Sequence, residues 1–286
     1  MRPSPFSLHR PDTLAEASQA ILAGARPLAG GQFLIHAMRL RREKPQALVD
    51  LTSVKGLSRS ISTHDVMLEI GALATLSDVA ASSDCAAGAP WIVESARKVG
   101  DVQVRNFGTV VGNVCWADPR ANLAVALLAS DAVVNAAPAN GRSGRTIPIS
   151  EFFVGFRTTA LHNEIVTSIR LPISTDAIGC YLEFGRQPQD LAIVSVCIVK
   201  KLGTNRSIAV AAGGIADTPI RLPVLEAKFT EDWNRPPSIE LICQAIAGSR
   251  LKPVRDAFGS PDYKLHVLSV LIGRASHFCW KECAHV

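Results

Sequence analysis

Two glycine-bearing stretches carry most of the chemistry this sequence offers. Leu28 to Leu34 reads LAGGQFL, and Gly108 to Asn113 reads GTVVGN. Glycine reaches positive φ without a Cβ clash and lets a backbone come close to a neighbour. Consecutive backbone N–H groups in a concave loop bind anions without help from a cationic side chain. A tight turn needs one such residue and is usually followed by Asn, Asp or Ser. Here Gln32, Phe33 and Leu34 follow the pair. Two nests far apart in the chain suit one extended ligand that carries a diphosphate. A plain turn after a strand is the other reading of the first pair, and these residues alone leave both open.

The commoner catalytic signatures are missing. The chain has no GxGxxG, no GxxxxGK[ST], no HExxH, no GxSxG and no Asp-rich calcium loop. Its seven cysteines, at 85, 115, 180, 197, 243, 279 and 283, form no CxxC pair, which excludes a disulfide framework. Cys279 and Cys283 lie near the chain end with His277 and His285. A metal site there would need more order than a terminus usually has, so they read as free thiols and no metal site is expected.

The elements that must position these stretches form an α+β pattern. Asp12 and Thr13, with Glu16 behind them, start a helix whose apolar face is Leu14, Ala17 and Ile21, and a short strand then runs toward Gly30. Gln46 to Leu51 reads as a second strand. VMLEIGALATLSDVAAS reads as a strand ending near Gly71 and a helix capped by Thr75 with Asp78 behind it. APWIVESARKVG is helical. The second glycine stretch reads as a loop, followed by an apolar helix from about Asn122 and the strand DAVVNA. EIVTSIRLP is a strand stopped by Pro172, and the polar STD after it marks a boundary near Ser174. Beyond it AIVSVCIVKKLG and SIAVAAGGIADTPIRLP form a hairpin joined by LGTNR, and the chain past Pro223 is helical with DWNRPPS as an interruption.

With 286 residues, 48% of them hydrophobic, the chain can bury substantial cores, and its length suggests roughly two domains. No apolar run of about 20 residues exists to cross a bilayer. The start MRPSPFSLHRPD lacks the apolar centre of a signal peptide, so a cytoplasmic protein without membrane contact is expected. The net charge of +5 is spread along the chain, except that Met38 to Lys44 holds Arg39, Arg41, Arg42 and Lys44. No aromatic stripe accompanies that run, so it reads as a solvated face or a protein contact rather than a nucleic-acid site.

Taken together, LAGGQFL, LVDL, IGALATLSDV, VGDVQVRNFGTVVGNVCWADPRANL, FFVGFRTTALHNEIVTSIRLP, YLEFGRQPQDLAIVSV and AAGGIADTPIR resemble the FAD-binding medium subunit of the xanthine dehydrogenase and carbon monoxide dehydrogenase family of molybdenum hydroxylases, to which quinoline oxidoreductase belongs. The likeness runs in order from about residue 4 to at least residue 226. It implies a p-cresol methylhydroxylase-type FAD fold, with α+β subdomains over about 1–60 and 61–174, then a C-terminal domain of a small antiparallel sheet and helices over about 175–286. It implies that Ala29, Gly30, Gly31 and Gln32, with Phe33 and Leu34 after them, hold the FAD diphosphate together with Thr109, Gly112 and Asn113. Asn122 stands where relatives carry an Asp contacting the adenosine part, Asp190 matches the family's Asp, and Leu191 takes the place of a residue set against the isoalloxazine. In this picture the glycines let the backbone approach phosphate oxygens.

Three positions depart from the family pattern: Phe33 replaces Ser, Val111 replaces the first Gly of a GG pair, and Glu183 replaces Lys. A valine at positive φ would be strained, so residue 111 is expected at φ < 0 with its side chain turned away and Gly112 and Asn113 giving the N–H contacts. The implied function is electron transfer. A large molybdopterin subunit hydroxylates the substrate, a small subunit with two [2Fe–2S] clusters relays electrons, and FAD on this chain passes them on, in an assembly expected to be a dimer of heterotrimers. The cysteines here lack iron–sulfur spacing, so the clusters belong to a partner. No residue of this chain need be catalytic, because the flavin carries the redox chemistry. A flavin-free scaffold subunit and a stand-alone FAD oxidase are the alternatives.

Overall fold

The structure, a computed structural model, describes residues 2–138, 144–202, 206–249 and 251–283. The chain opens with β1 (Ser7–His9), α1 (Leu14–Leu22), β2 (Arg26–Leu28), α2 (Leu34–Arg39) and β3 (Ala47–Asp50). The three strands make a parallel sheet in the order β1-β3-β2. The Thr13 hydroxyl accepts the Glu16 N–H at 3.2 Å while the Glu16 carboxylate accepts the Thr13 N–H at 3.2 Å, the capping box the sequence spells. Ala17 and Ile21 of α1 then bury against Val49, Leu51 and Val54. In a parallel sheet every strand ends on the same side, and ligands gather outside those carboxyl ends. The glycine pair sits there, between β2 and α2.

Next come β4 (Ile61–His64) and β5 (Met67–Gly71), then six helices: α3 (Leu76–Ala81), α4 (Ser83–Gly88), α5 (Pro90–Arg97), α6 (Val102–Phe107), α7 (Val110–Cys115) and α8 (Asn122–Ala129). After them run β6 (Val133–Ala137), β7 (Arg145–Pro148), α9 (Ile149–Phe152), the hairpin of β8 (Phe153–Gly155) and β9 (Thr158–Thr159), and β10 (Ile165–Pro172). The longer strands form an antiparallel sheet in the order β4-β5-β10-β6-β7. Thr75 caps α3 and Asp78 returns the bond, as expected. Every residue of α8 is buried, the placement expected of a helix that is apolar all round.

The remaining chain forms an antiparallel sheet of β11 (Ala177–Phe184), β12 (Val194–Lys201), β13 (Ser207–Gly213) and β14 (Ile220–Arg221), followed by α10 (Pro223–Glu231), α11 (Ile239–Gly248) and α12 (Pro261–Cys283). The break expected at DWNRPPS is the link between α10 and α11. The β12–β13 pairing is the expected hairpin, while residues 203–205 of its LGTNR turn lie outside the described residues. Among the described residues no helix is long and apolar enough to cross a membrane.

Two expectations are corrected. The second glycine stretch is not a loop, because residues 110–115 form α7. The strand expected to reach toward Gly30 ends at Leu28, where pairing with β3 stops.

Candidate functional site

The two glycines of the first loop answer different demands. Gly31 has φ +69, a conformation L side chains rarely adopt. A Cβ on Gly30 would lie 2.0 Å from the carbonyl oxygen of Phe107 and 2.9 Å from the Gly108 Cα. Gly30 is therefore demanded by the backbone of the second stretch, which packs directly on the first. Gln32 Nε2 donates to the Gly30 carbonyl at 3.1 Å. Ile35 N–H closes the first turn of α2 on the Gly31 carbonyl at 2.9 Å. The N–H groups of Gly30, Gly31, Gln32, Phe33 and Leu34 have no acceptor among the described residues.

The second stretch is the start of α7. Leu76 N–H donates to the Gly108 carbonyl at 2.9 Å and Val110 N–H to the Ala74 carbonyl at 3.0 Å, which fastens this segment to the start of α3. Thr109 is the N-cap, its hydroxyl accepting the Gly112 N–H at 3.0 Å. The Asn113 N–H closes the turn on the Thr109 carbonyl at 3.0 Å. Both N–H groups expected to be offered by Gly112 and Asn113 are thus engaged, and the N–H groups of this stretch that lack an acceptor among the described residues are those of Thr109 and Val111. Val111 is helical and buried, so no strain arises from valine at positive φ. What Asn113 offers is its side chain: it is 4% exposed, with Oδ1 buried and unpartnered.

Both stretches face one cavity of about 390 Å³, lined by Ala29, Gly30, Gly31, Gln32, Phe33, Leu34, Thr109, Val111, Gly112 and Asn113. That volume falls in the range of small-molecule sites. Three other predicted positions lie apart. Asn122 is buried at the start of α8, and its amide donates to the carboxylate of Glu183. Tyr181 Oη donates to that carboxylate at 2.9 Å. Burial pushes Glu183 above the usual carboxylate range, against the opposing pull of the Tyr181 hydrogen bond and the Lys98 charge. Asp190 is exposed and Leu191 half-buried, on the loop between β11 and β12. Their neighbours Pro188 and Gln189 join Glu183, Arg97, Lys98 and Arg105 around a second cleft of about 590 Å³. The turn between α5 and α6, with the start of α6, borders both spaces, giving Val99 and Val104 to the first and Gly100 to Gln103 to the second.

Sequence reading missed several lining residues. Trp116, just past α7, and Glu164 to Val166, at the start of β10, reach the cavity only through the folding of distant segments. Glu164 takes a two-pronged bond from Arg145, Nε at 2.7 Å and Nη2 at 2.8 Å, which holds its carboxyl below the usual range. Cys115 also lines the cavity, and burial pushes its thiol up to about 12. It is thus no thiolate nucleophile at neutral pH. Among the described residues no cluster of metal-ligating side chains occurs, and the basic Arg39, Arg41, Arg42 and Lys44 are exposed at the end of α2. Unpaired N–H groups lining a largely apolar cavity can hold an anionic ligand by its charged centre.

Comparison with known proteins fits this geometry. Residues 4–174 match the FAD binding domain in molybdopterin dehydrogenase, and residues 179–277 the CO dehydrogenase flavoprotein C-terminal domain. The chain is 31% identical to the glyceraldehyde dehydrogenase medium chain of Sulfolobus acidocaldarius, over 96% of this chain and 98% of that protein. It is 30% identical to the carbon monoxide dehydrogenase medium chain of Hydrogenophaga pseudoflava, over 99% and 100%. The solved carbon monoxide dehydrogenase of Hydrogenophaga pseudoflava superposes with a TM-score of 0.89 at 29% identity, covering 98% of this chain and 99% of that one. Quinoline 2-oxidoreductase of Pseudomonas putida 86, 23% identical with a TM-score of 0.87 over 99% of both chains, shares the fold. A parallel sheet whose strand ends open onto a cavity of unpaired N–H groups, with both family domains matched in order along the chain, makes this protein a member of the FAD-binding medium subunits of the molybdenum hydroxylases.

Proposed function

We propose that this chain holds FAD with its diphosphate in the 390 Å³ cavity and serves as the electron-transfer subunit of a three-component hydroxylase. The observation that carries the placement is the run of five N–H groups from Gly30 to Leu34 without an acceptor among the described residues. Thr109 and Val111, whose N–H groups also lack an acceptor among the described residues, line the same space. Bound FAD supplies two-electron and one-electron redox chemistry that no side chain here provides. The chain's own part is to bind, orient and shield. Gly30 lets the two stretches meet, and Leu34, Leu76 and Val166 give the cavity apolar walls that exclude water. Glu183 lines the second cleft, with Asn122 bonded to it and Asp190 and Leu191 on the adjoining loop, so in this reading these residues serve one end of an extended dinucleotide rather than, as the resemblance implies, its adenosine part through Asn122 and its isoalloxazine through Leu191.

The partners are a large molybdopterin subunit and a small subunit with two [2Fe–2S] clusters, arranged as a dimer of heterotrimers in the cytoplasm. Relatives named as medium chains or subunits of dehydrogenase complexes support the division of labour. Seven free cysteines suit a reducing compartment. Residues 1–60 and 61–174 form the two FAD-binding subdomains and 175–286 the C-terminal domain, a division supported by the separate sheets and by the family matches.

The first loop, Leu28 to Leu34, holds no His or Cys, and no His lines the cavity, so in this reading the flavin is bound non-covalently. Acid precipitation of the purified native complex should leave all yellow colour in the supernatant, and the intact complex should contain two partner chains with molybdenum and iron. Flavin retained by the pellet would overturn the non-covalent assignment. A chain that purifies alone, active and free of metal, would overturn the subunit assignment.

A further inference from the structure

Phe33 and Trp116 stand side by side on the cavity wall, their rings stacked at 5.5 Å with 15° between planes. The Arg157 guanidinium lies over the Trp116 ring, 5.1 Å from its centroid. Arg157 is itself anchored: Nη2 donates to Asp118 Oδ2 at 3.1 Å, and its N–H donates to the Ala117 carbonyl at 3.1 Å. Asp118 is fully buried and also accepts from the N–H of Arg120 at 3.1 Å. The indole of Trp116 is therefore held by groups that are held in turn.

Its polar edge has nothing to bond. Trp116 Nε1 is buried and has no partner among the described residues. An indole N–H is a donor only, and buried tryptophans usually find an acceptor because an unpaired donor is costly. Trp91 follows that rule, donating to Ser130 Oγ at 2.8 Å. Of the two unpaired buried indoles among the described residues, Trp116 and Trp280, it is Trp116 that lines the cavity. Phe33 brings no hydroxyl to the loop, and its stacked ring fixes a neighbour that carries a donor.

We propose that the Trp116 indole N–H donates a hydrogen bond to the diphosphate of bound FAD, with Phe33 and Arg157 as positioning residues that hold the ring. The proposal rests on the FAD reading above.

The test compares the full chain, freed of flavin, with its Trp116→Phe variant. Binding of FAD is measured by titration calorimetry, and the melting temperature of the flavin-free protein is measured separately. Wild type should bind FAD, and W116F should bind about tenfold more weakly, or about 1.4 kcal/mol. The flavin-free melting temperatures should differ by less than about 3 °C, since lost ring contacts and the removed unpaired donor act in opposite directions. Phe33→Leu, which keeps the indole but removes its stacking partner, should weaken binding by a smaller factor. Equal FAD binding by wild type and W116F would overturn the proposal while leaving the FAD reading in place. A loss of binding accompanied by a large drop in flavin-free melting temperature would assign Trp116 a structural role and also overturn it. Failure of wild type to bind FAD would overturn both.

Discussion

At the scale of single residues, the glycine pair shows how one sequence feature can serve two physical demands. Gly31 is needed for its backbone angle, and a Cβ there would meet flexible side-chain ends, Ile35 Cγ1 at 3.1 Å and Leu28 Cδ1 at 3.2 Å. Gly30 is needed because a backbone carbonyl occupies the place of its Cβ. The two alanine variants should therefore differ in kind. Gly31→Ala should cost about 1–2 kcal/mol of stability from a left-handed alanine and leave FAD affinity within a few-fold of wild type. Gly30→Ala must push the first loop off the second, separating the unpaired N–H groups from Val111 and Asn113. Its FAD affinity should fall by more than about tenfold, or 1.4 kcal/mol. Calorimetric titration of both variants decides the matter, and a larger affinity loss in Gly31→Ala would contradict this account.

At the scale of elements, the site depends on how α5 and α8 lean on the C-terminal sheet. A Cβ on Gly179 of β11 would lie 2.1 Å from the Trp91 ring of α5, and that indole is fixed by its bond to Ser130, whose hydroxyl donates to the Ala126 carbonyl of α8 at 2.8 Å. Gly179→Ala should thus lower stability by about 1–3 kcal/mol, the range for overpacking. An unchanged melting temperature would mean the helix and strand can part freely. Local signals made much of this architecture legible in advance. Thr13 with Glu16 and Thr75 with Asp78 are complete capping boxes four residues long, and DWNRPPS stops a helix with its own prolines. The conversion of Gly108 to Asn113 from loop to helix was not legible, because Thr109 becomes a cap only when Ala74 and Leu76 supply the bonds that fasten it. Nor was the meeting of Asn122 with Glu183, 61 positions apart in the chain. Trp116 and Glu164 gave no sequence signal as lining residues, since their placement on the cavity follows from packing between distant segments.

At the scale of the whole molecule, two matched family domains meet between residues 174 and 179, yet the largest core does not stop there. It joins Leu123 to Ala129 of α8 with Tyr181, Cys197, Val199, Ala209 and Ala211 of the C-terminal sheet. Gly213 of β13 fits under the same helix, a Cβ there lying 2.6 Å from Val125 Cγ2. Polar contacts follow the apolar ones: Arg221 of β14 donates to Asp131 at 2.7 Å and to the Leu128 carbonyl at 3.3 Å. Removing the C-terminal sheet would expose one side of a helix that is apolar from Leu123 to Ala129, a surface that soluble domains do not leave bare. Stability shared in this way is lost as one unit. The intact flavin-free chain should therefore give a single calorimetric transition whose van't Hoff and calorimetric enthalpies agree, and a fragment ending at residue 174 should aggregate rather than fold. Two resolved transitions, or a fragment that stays monomeric and binds FAD, would show that α8 is stable without the sheet beside it and that the flavin site is built by the first part of the chain alone.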